Sequence, residues 1–76
     1  MDKIALRREL ALMICAHMDN PNERYSCVLR GVLAGHIQAF ARCGVISQRA
    51  ANVAEHCVFN GPEPKRPWWR KEQRRQ

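Results

Sequence analysis

Apolar residues return along this chain at helical spacing. From Ser26 to Gly44 the run SCVLRGVLAGHIQAFARCG sets Leu29, Leu33, Ile37 and Phe40 three or four positions apart, which places them on one face of a helix. Ser26 suits the N-cap of that helix, and Gly44 suits the left-handed residue that closes it, with Arg42 in the last turn. Gly31 and Gly35 stand one turn apart inside it. Each glycine costs a helix roughly 1 kcal/mol against alanine. The pair therefore predicts a seam where another backbone comes close, that of the preceding helix or that of a second copy in a homodimer.

The chain before this stretch reads as a first helix from an Asp2 N-cap to about Met18. Leu6, Leu10, Met13, Ile14 and Met18 form its apolar face, and Ile4, Leu12, Cys15 and Ala16 widen it. Residues 19–24 (DNPNER) read as a loop, because a residue before proline is steered out of the helical region. Tyr25 is placed to pack on the helix that follows. Beyond Gly44, Val45 and Ile46 link to a third helix capped by Ser47 and ending near Phe59, with Ala50, Val53, Ala54, Cys57 and Val58 facing inward. Asn60-Gly61-Pro62 stops it. The predicted fold class is all-α: a small three-helix arrangement, an αα-hairpin plus a shorter third helix, over residues 1–61. A basic tail occupies residues 62–76.

The tail changes the picture because the charge concentrates there. Residues 1–61 carry seven basic and five acidic side chains, whereas residues 62–76 carry six basic and two acidic ones, out of a formal charge of +6. Lys65, Arg66, Arg70, Lys71, Arg74 and Arg75 are interleaved with Trp68 and Trp69. Cations of this kind neutralise phosphates and release counterions, and indoles stack on exposed bases. A large aromatic is costly to leave in water, so at least one tryptophan is expected to pack on something. The tail thus predicts a DNA or RNA partner. The alternative is an acidic protein surface, such as that of a nucleic-acid-processing enzyme on which the chain docks as a modulator or inhibitor.

A weaker signal spans Gln38–Phe59, where Gly44, Val45, Ala50 and Val53 fit a helix-turn-helix and leave Arg49 and Asn52, with Gln48, suited to base edges. Phe40 departs from that pattern, since a small residue is expected there. Cys15, His17, Cys27, His36, Cys43, His56 and Cys57 include no pair at the usual zinc spacing, so no metal or other cofactor is expected. Nothing marks a nucleophile, an oxyanion hole or a phosphate loop, and the chain is read as non-enzymatic. Its four cysteines fall in or beside apolar helical runs, which favours reduced thiols and a cytoplasmic setting.

The segment Leu10–Ala16 is too short for a membrane span, and with Asp2 and Glu9 nearby it reads as helix, not signal peptide. Small size, basic charge and missing catalytic motifs are shared, by composition alone, with accessory regulators of phages and plasmids.

Overall fold

Each long helix begins where a side chain takes up its free amides. The computed structural model describes residues 2–73. It contains α1 (Lys3–Asp19), α2 (Pro21–Arg24), α3 (Cys27–Arg42), α4 (Gln48–Asn60) and α5 (Trp68–Gln73), with no strand among the described residues. Asp2 Oδ1 accepts from the amides of Ile4 (3.0 Å) and Ala5 (3.2 Å) at the head of α1. Ser26 Oγ accepts from Leu29 N on α3, and Ser47 Oγ from Ala50 N on α4. α3 ends as anticipated: Gly44 has φ +75°, and the amides of Gly44 and Val45 bond the carbonyls of Ala41 and Phe40. These two bonds satisfy carbonyls that the helix end would otherwise leave open.

The predicted loop at residues 19–24 is instead a tight helical corner. Asn20 ends α1 and caps α2, its Oδ1 accepting from the amides of Asn22 (2.9 Å) and Glu23 (3.4 Å). Pro21 follows at the first helical position, where its missing N–H costs nothing. Tyr25 meets α3 through Arg30 and not through its apolar residues. It is 66% exposed, with the guanidinium carbons of Arg24 and Arg30 5.7 and 5.8 Å from its ring centroid.

The core is a small all-α one. Leu10, Ala11, Ile14, Cys15 and Met18 of α1 meet Leu33 and Ile37 of α3, the Val45-Ile46 link, and Ala51, Ala54, Cys57 and Val58 of α4. Three expectations shift within it. On α4, Ala51 is fully buried and Val53 is 40% exposed, so the inner face is rotated from the one predicted. On α1, Ile4, Leu12 and Ala16 face outward while His17 is buried. On α3, Leu29 is 39% exposed and Phe40 packs only partly against the core.

Gly31 and Gly35 are both exposed, and a Cβ at either would meet nothing within 4 Å. The seam with α1 is therefore not where they lie, because α3 turns Leu33 and Ile37 to the core and these glycines away from it.

The largest departure is at the C-terminal end. α5 packs on α1, and Trp69 is completely buried in the same core as Leu10 and Ile14. Its carbonyl lies 3.7 Å from the Cys15 thiol. Residues 62–73 thus help to build the body. Trp69→Ala is expected to lower unfolding free energy by about 3–5 kcal/mol, as for other large-to-small core changes. Ile4→Ala, at a 67% exposed position, is expected to change little. Chemical denaturation of both variants checks this.

Candidate nucleic-acid interface

The tail's basic residues divide into those the fold consumes and those it leaves. Arg70 is consumed. Its Nη1 and Nη2 donate to the two carboxylate oxygens of Asp19 at 3.0 and 2.7 Å, and its Nε and Nη2 donate to those of Glu63, both at 3.0 Å. Trp69 Nε1 donates to the same Glu63 carboxylate at 2.6 Å. The planar fork of arginine lets one side chain bind two carboxylates through paired bonds. Arg70 therefore joins the end of α1, the proline-rich segment and α5.

The tryptophans are consumed as well. With Trp69 fully buried, neither of its faces is open to a base. Trp68 is half-buried; its Nε1 donates to the Ala50 carbonyl at 3.0 Å, and the Arg7 guanidinium lies 5.5 Å from its ring centroid. The two indoles meet edge to face at 5.7 Å. Arg7 also forms an ion pair with the buried Glu72, its Nε 3.1 Å from Oε1, though the N–H is not aligned as a hydrogen bond. Stacking on Trp68 and Trp69 was the aromatic half of the predicted interface, and the fold has used Trp69 entirely and Trp68 in part.

Lys65, Arg66, Lys71 and Arg49 remain exposed, without an ion pair among the described residues. Arg66, Pro67, Arg70 and Lys71 line a hollow of about 360 Å³. Arg66 holds φ +51°, a conformation that side chains other than glycine rarely adopt. Arg74 and Arg75 lie outside the described residues. Arg49 stands in the first turn of α4, directly before the Ala50 carbonyl that receives Trp68.

The helix-turn-helix reading fares less well at its polar positions. Gln48 Nε2 donates to Asn52 Oδ1 (3.0 Å) and to Gln38 Oε1 (2.8 Å), and Gln38 Nε2 donates to Glu55 Oε2 (2.8 Å). Asn52 is exposed but engaged in this chain, which ties α3 to α4.

Of two further groups, the free cysteines were expected and the buried histidine was not. His17 is 4% exposed and its Nε2 has no hydrogen-bond partner. It borders a cleft of about 270 Å³ between α1 and α3. Its signal was hidden in sequence because it sits beside the apolar face, not on the predicted stripe. Cys15 and Cys57 are buried, and burial pushes both thiols up; Cys27 and Cys43 are exposed, and all four are free. Among the described residues no three His, Cys, Asp or Glu side chains gather as a metal site, and no helix is long and apolar enough to cross a membrane.

No protein-family model matches the chain, and no curated protein or solved structure is significantly similar to it.

The ion-pair cluster gives stability a defined pH response. The Arg70 hydrogen bonds hold Asp19 below the ordinary carboxylate range. Burial raises Glu63, but the bonds from Arg70 and Trp69 outweigh it and this carboxyl also titrates low. Both groups stay ionised in the fold where the unfolded chain already binds protons. Their contribution is present above the ordinary carboxylate pKa of about 4 and is lost as pH falls through the lower folded values. His17 is pushed below its ordinary 6.5 by burial, so its contribution is likewise lost on acidification, starting in a higher window. Denaturation midpoints at stepped pH are expected to fall in these two windows. Arg70→Met should flatten the lower one, and His17→Leu the upper one.

Proposed function

We propose that the chain is a small non-enzymatic protein that binds nucleic acid through its phosphate backbone. The contact surface comprises the hollow edged by Arg66 and Lys71, the neighbouring Lys65, and Arg49 at the head of α4. The observation that supports this reading is the separation of charge. Around α2 and the proline segment, Arg24, Arg30 and Arg70 are matched by Asp19, Glu23 and Glu63, with Arg70 bonded directly to two of them. Elsewhere in the described residues eight basic side chains (Lys3, Arg7, Arg8, Arg42, Arg49, Lys65, Arg66 and Lys71) face four acidic ones. Excess positive charge left exposed in this way steers polyanions and binds them with strong salt dependence.

The reading differs from a stacking tail in what it asks of the tryptophans. Trp68 and Trp69 hold α5 in place, and α5 presents Lys71 beside Arg66. Arg70 contributes less than its charge suggests, since two carboxylates already surround it. The interface is thus expected to read backbone charge with little preference among bases, because phosphate contacts position a ligand without carrying sequence information.

Fluorescence anisotropy with labelled single- and double-stranded oligonucleotides at stepped salt tests this. Affinity should fall linearly on a log–log plot, and Arg66→Ala with Lys71→Ala should reduce the slope by about 1 for each phosphate contact removed. Binding that is insensitive to salt, or unchanged in the double variant, rejects the reading. Capture of an acidic protein by the same residues after nuclease treatment would replace nucleic acid with a protein partner.

A further inference from the structure

Among the described residues nothing covers the outward face of α3. Val28 is 74% exposed, Val32 53% and Leu29 39%, and Gly35 and Ala39 are exposed beside them. Val28, Val32, Gly35 and Ala39 follow one another at spacings of four, three and four, so they form one stripe. From Gly31 to Ala41 α3 carries no Asp, Glu, Lys or Arg, in a chain of formal charge +6. Next to the stripe lies the cleft between α1 and α3, lined by Met13, Leu29, Val32 and His36, where the buried His17 keeps an unpartnered Nε2.

We propose that this face is where a second copy of the chain docks, α3 against α3, antiparallel, about a two-fold axis between Leu33 and Ala34. Three observations select a second copy as the occupant. The stripe is complementary to itself in that register: Val28 of each copy falls opposite Ala39 of the other, and Val32 opposite Gly35, so every large residue meets a small one. A two-fold interface requires this kind of self-matching.

Charge points the same way. Two copies of a strongly basic molecule repel over most of their surfaces; between Val28 and Ala39 α3 carries one ionised side chain, Arg30, whose Nε is turned to the Arg24 carbonyl at 2.6 Å, so the copies approach there at least cost. The glycines complete the case. Gly31 and Gly35 weaken α3, and inside the chain nothing uses the space they leave, since a Cβ at either meets no atom within 4 Å. A neighbouring helix seated on that space would use it. The docked copy would also close the cleft over Met13 and Leu29.

Sedimentation velocity on the full chain at micromolar concentration should give about twice the 8.8 kDa chain mass. Val32→Glu should return it to monomer, with the dissociation constant raised on the order of a hundredfold by burying an unpaired charge. Unchanged helical circular dichroism in the same sample shows that folding is intact. Gly31→Ala with Gly35→Ala should weaken the dimer while raising the melting temperature of the monomer. Val28→Glu and Ala39→Lys should each weaken association, and the two together should restore it, because the antiparallel register sets residue 28 against residue 39. A monomeric wild-type chain overturns the proposal. So does a dimer that Val32→Glu leaves intact, or a charge pair that fails to restore association.

Discussion

The fold depends on a single guanidinium. Arg70 binds the carboxylates of Asp19 and Glu63 at once, and Glu63 in turn receives the indole N–H of Trp69. The end of α1 meets here the proline-rich stretch and α5, which follow each other some fifty residues later. A chain of 76 residues has little apolar surface to bury, and the cluster recruits the largest side chain available, Trp69, into the core. Removing the arginine would leave the half-buried Glu63 carboxylate without its paired bonds, while Asp19, with a 62% exposed side chain, would turn back to water.

This cluster also decides which cations remain at the surface. An exposed basic tail and a packed, internally paired segment can have the same composition. Here the packed arrangement spends Arg70 internally and sets Trp68 under Arg7, with Lys65, Arg66 and Lys71 left at the surface. Rigidity is the compensating gain. Lys71, on the anchored α5, is positioned without the ordering cost that a mobile tail would incur on meeting a partner.

What could be read from sequence alone was the local chemistry. Asp2, Ser26 and Ser47 cap helices, and Gly44 ends one, because a capping side chain needs only its neighbours within three or four positions. Leu33, Ile37, Ala54 and Cys57 fell on the inner face because periodicity is likewise local. That a tryptophan would pack was legible from its cost in water, but which one and against what was not, and neither was the burial of His17. Trp69 meets α1 across more than fifty residues, and nothing in the short run of α5 forms an apolar stripe. The rotated face of α4, with Ala51 inside, was not legible either, since it depends on how α4 packs against α3. At the interface, the exposure of Lys65, Arg66, Lys71 and Arg49 followed from their chemistry, whereas the loss of Trp69 and Arg70 to the interior required a partner that only the three-dimensional fold supplies.

The packing of α5 against α1 has a consequence for how the protein is made. The first helix leaves the ribosome early, yet Leu10, Ile14 and Cys15 await a tryptophan translated some fifty residues later. Domains at this size form late-closing contacts only after loop-closure entropy has been met. Until Trp69 and Arg70 are free to fold back, the apolar side of α1 is covered only in part, by α2, α3 and α4. A nascent chain halted before Trp69 therefore presents unfinished apolar surface, the feature by which chaperones and proteases sort incomplete products.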